Sequence, residues 1–345
     1  MHAELFALTT GGFFADVGHG LREGFYMFWD TLWALVLGFG LSGAVQALVS
    51  RDAMGRRLGD HHSAAVGRAS LYGMVSSSCS YAASAMARSL FARGADFVAS
   101  MVFMFASTNL VVELGIVLAV LIGWQFVAAE FIGGAIMIVL LVAAGGLWLR
   151  GRALADAQAR VAGESSEHGS DEALTREGWK RRIRSPAGWA DAAGYTMSDL
   201  TMLRKELVVG FVIAGFLTVL VPTPVWSDVF IHGHGFWTSL ENALVGPFVA
   251  LISFVCSVGN VPLAAALWKG GISFGGVVAF VFADLITLPL VLIYRRQYGG
   301  RMAVRMLAVF WAVMSAAGLA TEYLFKAFGW VPTAKPGAVV GDTLR

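Results

Sequence analysis

Charged residues are scarce in this sequence. Of its 345 residues, 14% are charged and 57% are hydrophobic, whereas an ordinary soluble domain is about 25% charged. This shortage excludes an ordinary soluble domain and points to a protein that lies in lipid. The formal net charge of +2 is too small to favour a nucleic-acid partner.

Cysteine is scarcer still, because the chain contains two residues of this type, Cys79 and Cys256. Two cysteines in a chain of this length exclude a disulfide framework. The sequence also lacks the GxxxxGK[ST] loop that binds nucleotide phosphates and the HExxH motif that binds zinc. We therefore predict that the protein is not an enzyme, needs no cofactor and has no metal site. Transport driven by nucleotide hydrolysis on this chain is not expected.

Long apolar runs are what the sequence does have. A transmembrane helix needs about 20 mainly apolar residues. Runs of this kind occur near 29–49, 97–122, 124–149, 206–222, 273–293 and 302–325. The pattern predicts an all-α polytopic membrane protein. Residues 1–28 lack the features of a secretory signal and are interpreted as an interfacial lead-in.

The chain matches itself at an offset of 177 residues. Cys79-Ser80 then falls on Cys256-Ser257, and Gly94 falls on Gly271. Because many transporters consist of two related halves, we interpret the match as an internal repeat. The predicted organisation is the lead-in over 1–28, a first membrane repeat over 29–149, a cytoplasmic charged linker over 150–205, a second membrane repeat over 206–326 and a tail over 327–345.

Basic residues mark one side of the membrane. Of the 25 lysines and arginines, 18 lie in 51–68, 150–205 and 295–305, and such clusters favour the cytoplasmic side. All three clusters share one side if the segment 71–93 enters the membrane and returns. We therefore predict two inverted repeats in the cell (inner) membrane, each with about three transmembrane helices and one re-entrant or broken helix. Eight full spans are the alternative.

Both Cys-Ser segments carry residues that interrupt helices. Serines flank Cys79, and Gly, Asn and Pro follow Cys256. Non-helical backbone inside a membrane must be buried in protein or line a wet cavity, and facing half-helices direct their partial charges at a midplane site. A buried cysteine also serves as a small hydrophobic residue, which is the alternative at both positions. The predicted substrate-binding residues are Ser78, Cys79, Ser80, Thr108, Asn109, Cys256, Ser257 and Asn260.

Acidic residues at membrane depth are the candidates for ion coupling. An intramembrane carboxylate is costly and is by default a functional candidate. Asp284, which lies in an apolar helix, is therefore predicted to relay protons or bind a cation, with Glu113 as the second coupling candidate. The alternative for Asp284 is a structural role, in which it caps a kink at Pro289 or pairs with Lys269. Glu130 is interpreted as a structural partner inside the bundle.

At these residues the sequence resembles the predicted permease family that includes the ArsP organoarsenical exporters. The resemblance covers most of 30–325. It rests on Cys79-Ser80 with the LFARGAD that follows, on CSVGNVPLAAALWKGGISFGGVVAF at 256–280 and on LPLVLIYRRQYGGRMA at 288–303. It implies an inner-membrane transporter without an ATPase domain, in which cysteine thiols bind trivalent arsenicals. Where the family usually has Cys-x-Cys, this sequence has Ser78-Cys79-Ser80 or Cys256-Ser257-Val258, with one thiol at each site.

The predicted function is secondary-active export of a small soft, thiophilic or organic solute by alternating access, with coupling to protons. Thiols favour soft solutes such as trivalent arsenic species, whereas the outward direction is implied by the resemblance alone. The alternatives are an ion or small-solute channel, an uptake permease for an unrelated small solute, and a membrane scaffold. The expected partners are the solute and the lipid bilayer, and the sequence leaves homo-oligomerisation open.

Overall fold

Helices make up most of the described part of the chain. The computed structural model of the protein describes residues 17–22, 57–60, 62–76, 80–149, 151–166, 183–220, 235–253, 257 and 260–332, with scattered positions between 25 and 47. Among these residues no β-strand occurs. The described chain is therefore all-helical, as the sequence predicts.

The helices are numbered here in chain order. They are α1 (Ser63–Ser76), α2 (Ser80–Ala92), α3 (Phe97–Asn109), α4 (Val112–Leu121), α5 (Trp124–Trp148), α6 (Arg152–Ser166), α7 (Pro186–Leu220), α8 (Phe236–Ser253), α9 (Asn260–Gly270), α10 (Phe274–Phe282), α11 (Leu288–Tyr298) and α12 (Gly300–Phe328). A 3₁₀ helix, Ala283–Ile286, lies between α10 and α11. The described positions between 17 and 47 are also helical.

Two sets of helices, α1 to α5 and α8 to α12, follow the same order at nearly the same spacing. α3 begins at Phe97 and α10 at Phe274, which is the 177-residue offset of the sequence match. α5 begins at Trp124 and α12 at Gly300, which is one residue away from that offset. The internal match in the sequence therefore corresponds to a match in the helices.

The turns before α3 and α10 are built alike. Gly94 and Gly271 have φ values of 93° and 102°, a backbone conformation that glycine adopts without a steric penalty. Asp96 then caps α3, because its side chain accepts hydrogen bonds from two backbone N–H groups of the first turn. Ser273 caps α10 in the same way. The sequence thus specifies two equivalent helical turns 177 residues apart.

Each Cys-Ser segment is flanked by helices that leave one end of the molecule and return to it. In the first helical pair, α1 and α2, the backbone N–H of Asp96 donates to the carbonyl oxygen of Leu58 at 2.6 Å, so the flanking residues meet. In the second pair, α8 and α9, the flanking residues meet at Glu322, which accepts hydrogen bonds from Ser239 Oγ and the Gly275 backbone N–H. In each pair, the end where the chain enters and leaves is called here the open end. The end where the Cys-Ser segment joins the two helices is called the closed end.

The molecule has a basic end and an aromatic end, each named for its exposed side chains. The basic end carries the exposed arginines of α11 and α12, which are Arg295, Arg296, Arg301 and Arg305. The aromatic end carries Trp124, Phe236, Trp237 and Trp330, all between 42% and 69% exposed. α12 runs from the first of these ends to the second.

The two helical pairs open at opposite ends of the molecule. Phe97, which follows the first pair, packs edge-on against Tyr298 near the basic end, with ring centroids 5.4 Å apart. Phe274, which follows the second pair, lies 4.9 Å from the ring of Phe126 and 5.2 Å from that of Phe325, near the aromatic end. The closed ends of both pairs therefore point towards the middle of the molecule.

Among the described helices, α5 and α12 are long and apolar enough to cross a membrane unbroken. Their 25 and 29 residues reach about 38 and 44 Å at 1.5 Å per residue, more than the roughly 30 Å of the hydrocarbon core. They run antiparallel. The rings of Trp124 and Trp330 lie 6.4 Å apart, and a Cβ atom at Gly133 would lie 2.6 Å from Thr321 Oγ1.

Two further apolar stretches, which lie in the runs 97–122 and 273–293, are bent. The bent pairs, with angles of 40° and 43°, are Phe97–Asn109 with Leu114–Leu121 and Phe274–Ile286 with Leu288–Tyr298. If each bent pair counts as one span, the described residues contain up to four candidate membrane spans. At the bends Leu110, Val111 and Thr287 are buried, whereas Val112 and Leu288, which begin the helices that follow, are exposed.

The helical positions between 17 and 47 pack against α7 in the opposite chain direction. A Cβ atom at Gly20 would lie 2.7 Å from the ring of Phe216, and Thr196 Oγ1 donates to the carbonyl oxygen of Phe39 at 3.2 Å. Gly20 thus contacts the later residue of α7, Phe216, whereas Phe39 contacts the earlier residue, Thr196. The helical positions between 17 and 47 and α7, which precede the two sets, are therefore antiparallel.

The predicted charged linker, residues 150–205, contains helical structure. It includes all of α6 and the first part of α7, because α7 begins at Pro186, well before the predicted apolar run 206–222. The run 29–49 and the lead-in are described only in part, and the tail beyond residue 332 lies outside the described residues.

Small residues allow close helix crossings in the absence of a hydrophobic driving force between helices in lipid. Gly73 of α1 faces α3, where an added Cβ atom would lie 2.5 Å from the carbonyl oxygen of Phe103 and 2.9 Å from the backbone nitrogen of Ser107. Gly67, on the same helix, has no atom within 4 Å of such a Cβ. The two glycines form a matched pair for testing this crossing.

We expect Gly73→Ala to lower the stability of the protein by about 1–3 kcal/mol, because backbone atoms of α3 must move to admit the methyl group. Gly67→Ala should have no effect or raise stability, because alanine favours helix more than glycine does. Thermal unfolding of the purified proteins in detergent measures both changes. Equal midpoints for the two variants would contradict the close α1–α3 crossing.

Candidate functional site

Four interrupted segments meet around the carboxyl group of Asp284. This residue lies in the 3₁₀ helix that follows α10. Ser80 is the first residue of α2, Asn109 is the last residue of α3, and Ser257 lies between α8 and α9. All four residues are at most 7% exposed. The two sets of helices therefore both contribute polar side chains to one buried cluster, called here the Asp284 cluster.

The Asp284 carboxylate accepts three hydrogen bonds from side chains. Ser80 Oγ donates to Oδ2 at 2.7 Å, and Ser257 Oγ donates to the same oxygen. Asn109 Nδ2 donates to Oδ1 at 3.3 Å. The two hydroxyl oxygens, which are equivalent in the 177-residue repeat, lie 3.3 Å apart. The carboxylate thus joins the closed ends of both helical pairs.

The donors of the Asp284 cluster carry no formal positive charge. Hydrogen bonds from hydroxyl and amide groups partly offset the loss of hydration that burial imposes on a carboxylate. The partial positive charge at the first turn of α2, which begins at Ser80, adds to this stabilisation. The negative charge has no cationic partner in the cluster, so a proton or a cationic solute would neutralise it.

Two other predicted substrate-binding residues lie beside the cluster in different roles. Thr108 Oγ1 accepts a hydrogen bond from Asn109 Nδ2 at 2.9 Å and donates to backbone carbonyl groups one turn earlier in α3. It therefore orients the amide that contacts Asp284. Asn260, the first residue of α9, is 1% exposed, and both polar atoms of its side chain lack a hydrogen-bond partner among the described residues.

The remaining predicted site residues are not placed. Ser78, Cys79 and Cys256 lie outside the described residues, and Glu113 lies in α4 with a side chain that is outside the description. Their roles stay predictions. Cys79 and Cys256 are nevertheless the sequence neighbours of Ser80 and Ser257, the two serines that contact Asp284.

Among the described residues, polar contacts continue from the Asp284 cluster towards the basic end. Ser84, one turn after Ser80 in α2, donates to Gln297 Oε1 of α11 at 3.4 Å, in the direction of the basic end. The equivalent of Ser84 in the second set is Val261, which is buried. The first helical pair therefore has a polar residue one turn after its cluster serine, where the second pair has a valine.

The comparisons with known proteins agree with a membrane transporter. A model of the ArsP_1 family, described as predicted permeases, matches residues 23–323. The chain belongs to this predicted permease family. It is also 45% identical over 300 residues to the Mycobacterium tuberculosis (strain ATCC 25618 / H37Rv) protein named "Putative permease Rv2963", with 85% of this chain and 74% of that protein covered. No solved structure matches the chain.

Sequence reasoning missed one polar pair of this permease. Ser107, the repeat equivalent of Asp284, is fully buried and lies 2.9 Å from Ser76 through the two hydroxyl oxygens. Ser76 is the last residue of α1. The repeat offset contained the signal, since it aligns Ser107 with Asp284, but the contact of Ser107 with α1 depends on the helix packing.

A second missed group is the carboxylate of Glu322 in α12. It accepts hydrogen bonds from Ser239 Oγ at 2.5 Å and from the Gly275 backbone N–H at 2.8 Å, and it pairs with Lys326. These contacts join α8, α10 and α12 at the open end of the second helical pair. The i, i+4 spacing of Glu322 and Lys326 was the available signal.

One motif that is typical of hydrolases has a structural role in this permease. Residues 271–275 read Gly-Ile-Ser-Phe-Gly, the GxSxG pattern of a nucleophile elbow. Here Ser273 Oγ accepts the backbone N–H of Gly276 at 3.1 Å and caps α10. The pattern therefore explains a helix start, and the helical surroundings differ from the strand–turn–helix context of the elbow.

We expect the Ser80 hydroxyl to stabilise the protein through Asp284. Ser80→Ala should lower stability by about 1.5–3 kcal/mol, because it removes a hydrogen bond to a buried charged group. The loss should be smaller in an Asp284→Asn background, and thermal unfolding of the two single variants and the double variant measures the coupling.

Ser315→Ala is the matched control for Ser80→Ala. Ser315 is also buried, and its hydroxyl has no hydrogen-bond partner among the described residues, so its removal should change stability little. Equal losses for Ser80→Ala with and without Asp284 would contradict the assigned contact.

Proposed function

We propose that this permease is a secondary-active transporter that works by alternating access, with Asp284 as its proton-coupling residue. The observation that carries the proposal is the Asp284 cluster, in which one buried carboxylate is bound by side chains from the closed ends of two helical pairs. The hydrogen bonds to this carboxylate depend on the relative position of the two pairs, because a movement of either pair changes the donors that reach it.

The proposed architecture is that of two inverted repeats. Equivalent helices α5 and α12 run antiparallel, and the two helical pairs open at opposite ends. Each pair then acts as a re-entrant segment whose closed end reaches the midplane, as in several transporter folds. An exchange of conformations between the two repeats would open the central cluster first to one end and then to the other.

The basic end is assigned to the cytoplasm and the aromatic end to the outside of the inner membrane. Four exposed arginines lie at the first end, which matches the positive-inside bias. Exposed tryptophans occur near both ends, with Trp124 at the start of α5 and Trp148 at its end, which matches the interfacial preference of tryptophan. The contact between Ser84 and Gln297 lies on the side of Asp284 that is assigned to the cytoplasm.

The solute is proposed to be small and soft, with trivalent organoarsenicals as the leading class and export as the direction. Cys79 and Cys256 each precede a serine of the Asp284 cluster, and thiolates bind soft, thiophilic species. The family resemblance supports the same solute class and the outward direction. The sequence has one thiol in each predicted repeat, and these two thiols are proposed to make a two-coordinate contact with the solute.

Proton coupling follows from the environment of Asp284. In the ionised state the carboxylate keeps its three neutral donors, and in the protonated state it loses the charge that these donors stabilise. Protonation therefore weakens the bonds between the two helical pairs and favours their separation. Proton entry from outside would in this way drive the change that releases the solute.

We expect Asp284→Asn to abolish proton-driven accumulation of a trivalent methylarsenical in everted membrane vesicles, because an amide does not exchange a proton at the pH of the assay. Wild-type vesicles should accumulate the probe when the lumen is acid, and dissipating the proton gradient should stop uptake. Asp156→Asn, a change of an exposed aspartate of α6, should leave uptake unchanged and serves as the matched control.

The alternatives make different predictions in the same vesicles. Flux that does not saturate and does not respond to the proton gradient would indicate a channel. Accumulation only in right-side-out vesicles would indicate uptake. An unchanged pH profile in Asp284→Asn would contradict coupling at this residue.

A further inference from the structure

The membrane-depth acids Glu322, Asp284 and Glu130 differ in how their charge is compensated. Glu322 has a lysine partner and two other donors. Asp284 has three neutral side-chain donors. Glu130 of α5 is 2% exposed, yet neither of its carboxyl oxygens has a hydrogen-bond partner among the described residues. Glu130 is the uncompensated member of this series.

Glu130 faces the first turn of α4. A Cβ atom at Gly115 would lie 3.4 Å from Glu130 Oε2 and 3.3 Å from the ring of Phe131. The absence of a side chain at Gly115 is therefore what leaves room for the carboxyl group between α4 and α5. The surroundings on this side are a glycine backbone and apolar side chains.

The carboxyl group lies next to the break between α3 and α4. Gly134, four residues after Glu130, packs directly against the side chain of Leu110, and its Cβ position is 3.8 Å from the carbonyl oxygen of Asn109. Four residues of α-helix rise about 6 Å. Glu130 is thus about one helical turn from the level of Asn109, and it lies nearer the aromatic end than Asn109 does. The side chain of Asn109 is one of those that bind Asp284.

Electrostatics fixes the charge state of Glu130 in this conformation. An ionised carboxylate without donors in an apolar site carries a desolvation cost that folded proteins avoid by neutralising the group. Glu130 is therefore a neutral acid while α4 and α5 are packed together. It can release its proton only when water reaches the gap between these helices.

Few other titratable groups occur on the helices that pack against α5. α3 and α10 have none, and α4 has Glu113, whose side chain is outside the description. α12 has Glu322, Tyr323 and Lys326 near the aromatic end and Arg301 and Arg305 near the basic end. Lys326 pairs with Glu322. Among the described contacts, Glu130 therefore has no cationic partner.

We propose that Glu130 is a second proton-carrying residue of the transport cycle, protonated while α4 and α5 are packed together. The carboxylate takes a proton from the outer solution when the aromatic end is open, and it gives this proton to water and becomes a carboxylate again when the gap between α4 and α5 is open to the basic end. This proposal rests on the proposed function, because it adds a proton to the one assigned to Asp284.

Glu130→Gln is the direct test, since glutamine has nearly the shape of the protonated acid. The variant should fold with unchanged or higher thermal stability. In everted vesicles it should keep counterflow exchange of the trivalent methylarsenical and lose part of the proton-driven accumulation, with fewer protons moved per solute than in wild type. Glu322→Gln is the contrasting variant, and it should lose stability because it breaks a charged pair.

Infrared spectra of the purified protein provide a readout that does not depend on a solute. Wild type at neutral pH should show the carbonyl band of a protonated carboxyl group, and Glu130→Gln should lack it. Absence of this band from wild type would overturn the proposal, as would an unchanged proton-to-solute ratio in Glu130→Gln. An absence of proton-driven flux in wild-type vesicles would contradict the proposed function itself, and with it the proposal that Glu130 carries a second proton.

Discussion

The structure depends on one buried carboxylate that is bound from both halves of the chain. Asp284 has no cationic partner in its cluster, and Ser80, Ser257 and Asn109 are the side chains that stabilise its charge. These donors sit at the ends of interrupted helices, which are the parts of a membrane protein that can move with the least loss of backbone hydrogen bonds. In the proposed mechanism the same contact serves both stability and the conformational change.

The arrangement of helices follows from the need to place such a group away from lipid. Two unbroken antiparallel helices, α5 and α12, cross the molecule beside the bent segments, and glycine contacts bring the neighbouring helices close. The closed ends of the helical pairs are then enclosed by protein. Membership of the predicted permease family is consistent with a transporter in which such enclosed breaks form the central site.

Much of this was predictable, and the reasons differ by feature. The 177-residue offset in the sequence recurs in the helix starts at Phe97 and Phe274, because turn glycines and capping residues act locally. The bends near residues 110 and 287 were not predicted, because both runs are mainly apolar and a hydropathy pattern does not indicate where a helix axis changes direction. The pairing of Ser107 with Ser76 and the empty surroundings of Glu130 depend on packing between distant segments, which no local pattern encodes.

The most direct test of alternating access uses the native thiols as reporters. Cys79 and Cys256 precede the two serines that bind Asp284, so a membrane-impermeant maleimide, with mass spectrometry of the labelled peptides, measures access to the centre from each side of oriented vesicles. The account predicts labelling that shifts from one side to the other when the proton gradient is reversed. Labelling from both sides at once, independent of the gradient, would contradict it.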